Sequence, residues 1–161
     1  MADAKLEKKA IEVYETLCRA LDAHDLKYTK EGKDKDGDYT VRFTAVGDDL
    51  PMDFVVFVDV ERQLVRLMSQ MPFRFSEGKR VEGAIVTSRA NYVMVDGNFD
   101  YDYTTGSIVY KMTSSIRDSL ISEDLLFYMV SCAFSMVDEF NDKFLMVDKG
   151  AISLEEFFKQ Y

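Results

Sequence analysis

Residues 98–112, NFDYDYTTGSIVYKM, alternate between two kinds of side chain. Phe99, Tyr101 and Tyr103 fall on one side, and Asn98, Asp100 and Asp102 on the other. After the turn TTGS, Ile108, Tyr110 and Met112 resume the apolar set. Side chains repeat every second residue in a strand and about every 3.6 residues in a helix. The stretch therefore reads as a hairpin, with Tyr101 expected opposite Tyr110 and Phe99 opposite Met112. A lone hairpin is marginal in water, so this ribbon must extend a larger sheet.

The rest of that sheet is legible upstream. YTVRFTAV (39–46) alternates, with Tyr39, Val41, Phe43 and Ala45 on one face. FVVFVDV (54–60) is almost continuously apolar and reads as a central strand, and LVRLMSQM (64–71) follows after a tight connection. Pro72 lacks a backbone donor and is expected to close that strand or mark an edge. Leu26 and Tyr28 suggest a short edge strand, followed by a polar turn from Gly32 to Gly37.

The remaining segments have helical period. In residues 4–24, Leu6, Ala10, Tyr14, Leu17, Cys18 and Leu21 form one stripe, which must pack on a partner such as the face of a sheet. A second helix is expected from about Glu77 to Val93 behind an N-cap at Ser76, with Val81, Ala84, Ile85, Ser88 and Tyr92 on one side. Gly83 and the β-branched residues leave a strand open as the alternative there. Ser122 caps a long helix with a broad apolar face from Leu125 to Phe144. Ser153 caps a short terminal helix over about 153–160, with Phe157 and Phe158 as anchors. The expected fold class is α+β: an antiparallel sheet of about five strands packed against helices, in the order α-β-β-β-α-β-β-α.

Length and charge bound the function. A chain of 161 residues suits a single domain over 1–161. The net charge of -9 argues against reading a nucleic-acid backbone and against adsorption to an anionic membrane. The first 25 residues do not read as a signal peptide, and no stretch reads as a membrane span, so a cytoplasmic location is the default. Cys18 and Cys132 lie in apolar periodic segments, as buried free thiols do, although sequence leaves a disulfide between them open.

Catalytic and metal chemistry finds little support. In KDKDGDY, placing Gly37 at the invariant glycine of an EF-hand loop puts Gly32 and Phe43 where carboxylates are required. Phosphate-binding GxxxxGK[ST] and GxGxxG motifs and a GxSxG nucleophile elbow are absent, and His24 is the single histidine. No catalytic residue, metal ligand or cofactor is expected. The alternative is a small-ligand binder or hydrolytic enzyme built on an acidic and aromatic pocket around Asp100 and Asp102.

Nine methionines and several aromatics offer adaptable apolar contacts. Met68, Met71, Phe73 and Phe75, with Phe157 and Phe158 from the tail, are the candidate partner-binding residues. The expected function is a non-catalytic protein-binding or regulatory module that recognises a protein partner, with a homodimer as one form.

Asn91-Tyr92, Gly97-Asn98-Phe99, Asp102, Gly106, Ile108-Val109-Tyr110 and Asp138 together resemble the YbjN-type family, also called bacterial sensory transduction regulators. The detailed match runs over about residues 88–145, and element order extends it over most of the chain. The resemblance implies a fold similar to type III secretion chaperones. Those are small, acidic, usually dimeric proteins that bind extended effector segments without catalysis. The tail after Phe144, MVDKGAISLEEFFKQY, departs from the family pattern.

Overall fold

The computed structural model describes residues 4–119 and 121–161. Helix α1 (Ala4–Ala23) leads into four strands, β1 (Thr29–Lys33), β2 (Tyr39–Val46), β3 (Pro51–Asp59) and β4 (Leu64–Arg74). A single 3-10 turn at Glu77–Lys79 opens helix α2 (Arg80–Val93). The hairpin β5 (Asn98–Asp102) and β6 (Ser107–Ser115) follows, then α3 (Glu123–Asp148) and α4 (Leu154–Gln160). The six strands form one antiparallel sheet in the order β1-β2-β3-β4-β6-β5.

The architecture is the expected α+β one, with one strand more than expected. The additional strand is the edge strand β1, which starts at Thr29, just beyond Leu26 and Tyr28. Gly32 belongs to this strand at a bulge, and the turn is confined to Asp34–Asp38. There the Asp34 carboxylate accepts from the backbone N–H groups of Asp36 and Asp38, at 2.9 and 3.0 Å. The acidic KDKDGDY segment is thus a turn closed on itself.

Strand β4 continues through Pro72 to Arg74. Its ladder with β6 jumps from Gln70↔Val109 to Arg74↔Ser107, and its ladder with β3 ends at Phe54↔Ser69. Pro72 therefore lies where both ladders have lapsed and its missing donor leaves no gap.

In the hairpin, Phe99 pairs with Tyr110 and Tyr101 with Ile108, a shift of two residues from the expected pairing. A shift of two preserves which side chains face the core, because the period is two. The turn chemistry sets the register. Asp102 accepts from the Thr104 N–H and the Thr105 hydroxyl at 2.8 and 2.7 Å, and Gly106, at φ +74, donates to the Asp102 carbonyl at 2.7 Å. That conformation favours glycine.

The helices cover one face of the sheet. Val41, Phe54, Val56, Leu67, Ile108 and Tyr110 from alternate strand positions share a continuous core with Leu17, Leu21, Ala133, Val137 and Phe144. Within it Phe99 lies edge-on to Phe140 and Phe144, with centroids 5.6 and 5.1 Å apart, and Phe144 stacks on Phe157 at 6.1 Å. The divergent tail thus closes the core through Phe157 and its capping box at Ser153. The opposite sheet face carries Arg42, Arg66, Gln70 and Lys111 with half-buried Val55, Phe57 and Met68 among them. Both cysteines are free, Cys18 in the core and Cys132 half-buried on α3. No described helix is long and apolar enough to cross a membrane.

Candidate protein-binding surface

Helix α2 shows an inversion of its sequence pattern. Its buried residues are Gly83, Val86, Thr87 and Ala90. The larger apolar stripe faces out, with Val81 57%, Ile85 36% and Tyr92 80% exposed. Close approach explains the choice. A Cβ on Gly83 would fall 2.6 Å from the Tyr101 hydroxyl and 2.7 Å from the Phe75 ring, so only a glycine lets α2 sit this low on the sheet. The Tyr101 hydroxyl also donates to the Arg80 carbonyl at 2.9 Å.

The outward stripe continues onto α4 and the hairpin turn through Phe158, 44% exposed, and Tyr103, 57% exposed. The Arg89 guanidinium lies 5.3 Å from the Tyr92 ring centroid and 5.7 Å from that of Phe158, and it donates to the Tyr161 carbonyl. Together these residues line a shallow groove of about 510 Å3 whose walls carry no carboxylate.

The six candidate residues from sequence do not form one patch. Met71, Phe75 and Phe157 are core residues. Phe75 packs edge-on to Tyr101 at 5.9 Å, directly beneath Gly83. Phe73 is half-buried against the core, and Met68 lies on the helix-free sheet face. Only Phe158 belongs to the exposed stripe. Residues 71–75 look terminal in sequence because Pro72 follows a strand, yet the chain continues inward after it. Val93 and Val95, which sequence reasoning passed over, are exposed at the end of α2. Their signal was the apolar run YVMV, in which only Met94 turns toward the core.

Asp148 anchors the base of this surface. Its side chain is buried and accepts from the Ser76 N–H at 2.6 Å and from Lys149 at 2.9 Å, tying the end of α3 to the start of α2. Burial pushes its carboxyl up, but the Ser76 and Lys149 donors outweigh this and hold it below the ordinary range. A depressed folded-state value contributes stability that is present above the ordinary carboxylate pKa of about 3.9 and lost as pH falls through the lowered value. We expect Asp148→Asn to lower stability at pH 7 by about 1–3 kcal/mol. Its difference from wild type should shrink as pH drops below about 4. Urea midpoints measured across that range check this.

The acids of the hairpin are already engaged. Asp100 pairs with Lys111 on the neighbouring strand, and Asp102 holds the turn. The Thr105 hydroxyl and Thr104 N–H keep the Asp102 carboxyl below its usual range. Asp100 and Asp102 line a shallow, open depression rather than a deep cavity. Among the described residues no group of three His, Cys, Asp or Glu is placed to hold a metal ion. His24 stacks on Phe127, ring centroids 3.3 Å apart, at the exposed end of α1.

Comparison with known proteins fits this fold. A chain of the ExsC–ExsE complex superposes with a TM-score of 0.56 at 12% identity, covering 83% of this chain and 93% of that one. E. coli YbjN superposes at 0.53 with 11% identity, covering 85% of this chain and 89% of that one. The fold is thus the type III secretion chaperone-like one implied by the sequence resemblance. The comparison with curated proteins gave no match. The profile of the YbjN family, described as "Putative bacterial sensory transduction regulator", matches residues 14–146. With most of its length matched, this chain belongs to the YbjN family.

Proposed function

We propose that the protein is a non-catalytic, regulatory binding module that pairs with a second copy of itself through the outward stripe of α2. The observation that carries this reading is the inversion of α2, which leaves Val81, Ile85 and Tyr92 in water beside Phe158 and Tyr103. Contiguous exposed apolar surface of this kind marks interaction sites. Charge at this face does not oppose a like partner. Two chains of net charge -9 repel each other, and the groove along α2 carries no carboxylate to add to that repulsion. Its one cation, Arg89, is already held by the Tyr161 carbonyl and two rings. A chain of the same fold occurs in the ExsC–ExsE complex, which supports a role in binding other proteins.

Light scattering coupled to size-exclusion chromatography tests the pairing. The expected mass at rising concentration is twice the 18.5 kDa of the chain. The double variant Val81→Asp, Ile85→Asp alters exposed positions only and should run as a folded monomer, weakening association at least about a hundredfold. A wild-type mass of one chain at every concentration overturns the reading.

A further inference from the structure

A second groove lies on the other side of the C-terminal end of α2, beyond the Arg89–Tyr161 contact. One wall is a face of α3 on which Tyr128, Cys132, Ser135 and Glu139 follow one another at helical spacing. The other is the run from Val93 to Asp96, in which Val93 and Val95 are exposed. Phe140 and Met136 contribute to an apolar lining, and the open groove has a volume of about 470 Å3. From Tyr128 to Glu139 the α3 wall runs about 16 Å, three helical turns.

The polar groups are distributed unevenly along it. At one end the Tyr128 hydroxyl donates to Asp96 at 2.5 Å. At the other the Tyr161 hydroxyl donates to Glu139 at 2.5 Å. No lining residue is a cation. Lys143 lies 3.5 Å from the Glu139 carboxylate but directs its hydrogen bond to the Glu139 carbonyl, at 2.7 Å. Among the described residues no cation pairs with Asp96. Between these ends the small side chains of Ser131, Cys132 and Ser135 let another backbone approach α3 closely.

We infer that this groove receives an amphipathic helix of another protein, about three turns long, with apolar residues at i, i+4 and i+7 between basic residues at its two ends. The apolar lining takes the helix stripe. Asp96, held by Tyr128 at one end, and Glu139, about three turns along α3 from Tyr128 at the other, meet the terminal lysines or arginines. Charge disfavours a second copy paired through this same groove, since its own Asp96 and Glu139 would bring acid to acid. This site is separate from the α2 stripe, and self-pairing is not required for it.

The test uses a fluorescein-labelled synthetic helix of about 15 residues, leucine-striped with lysines near both ends, titrated with the full chain by anisotropy. Its controls are the same peptide with the lysines changed to glutamate and one with a central proline. The lysine peptide should bind, and both controls should bind at least about tenfold more weakly. Asp96→Asn and Glu139→Gln keep an acceptor for each tyrosine and should each weaken binding about two- to fivefold, an effect that fades in high salt. Met136→Arg should abolish it, while Val81→Asp, Ile85→Asp leaves it unchanged even if that variant is monomeric. The inference is overturned if the lysine and glutamate peptides bind alike, if the proline peptide binds as well as its parent, or if no peptide binds the folded chain. It is equally overturned if Met136→Arg alone converts a dimer to monomer, since a second copy would then occupy the groove.

Discussion

Replacing Phe144 with alanine should cost about 3–5 kcal/mol and lower the melting temperature by roughly 10 °C. Phe144 is fully buried and lies within 5.1 Å of Phe99, 5.6 Å of Phe140 and 6.1 Å of Phe157, centroid to centroid. These rings come from β5, α3 and α4, so one truncation opens a cavity where the hairpin, the long helix and the tail meet. Little can collapse into it, because α4 is tied by its own capping box and β5 by its ladder to β6. A loss of this size is a large share of the 5–15 kcal/mol typical of a domain. Thermal and urea unfolding of the variant measure it. A cost below about 1 kcal/mol would mean that the tail does not seal this core.

The second large effect is expected at Gly106. An alanine there meets two separate obstacles. Its φ of +74 lies in the left-handed region, which costs an L-residue about 1–2 kcal/mol. Its Cβ would also stand 2.2 Å from the Phe75 carbonyl oxygen, a backbone atom that cannot swing aside. That carbonyl belongs to the residue whose N–H donates to the Gly106 carbonyl at 2.9 Å, so relief of the clash breaks the contact joining the hairpin turn to the end of β4. Gly150 supplies the control, with φ +70 and no atom within 4 Å of its added Cβ. Gly150→Ala should show the conformational cost alone, and Gly106→Ala about 1–3 kcal/mol more by urea denaturation. Equal costs at the two positions would show that the turn moves freely away from Phe75.

The sheet was legible because its signal is local. Alternation in β2, β5 and β6 identifies the buried face even when the pairing is misjudged, as the two-residue shift between Phe99↔Tyr110 and the expected pairing shows. Caps at Ser122 and Ser153 were equally readable, since each depends on residues three apart in the chain. Long-range packing was not. The outward stripe of α2 follows from the 2.6 Å approach of Tyr101 to a missing Cβ, which no periodicity encodes. The rule that large apolar residues turn inward fails where a helix docks by its small residues. Phe75 and Met71 looked available and are buried, while Val93, the expected end of the helix, and Val95 beyond it are exposed. The edge strand β1 was expected a few residues early, at Leu26 and Tyr28, because Thr29, Lys30, Glu31 and Lys33 carry no apolar alternation.

That polar margin has its own consequence. An open sheet leaves a row of unpaired backbone groups along each border, and other chains can add themselves there without limit. On one border β1 presents Lys30, Glu31 and Lys33 and is kinked between Lys30 and Gly32. On the other, β5 is only five residues long and carries Asp100 and Asp102. Both margins are thereby poor templates for fibril growth, so the molecule can expose greasy helix faces to its partners while its strands stay out of runaway aggregation.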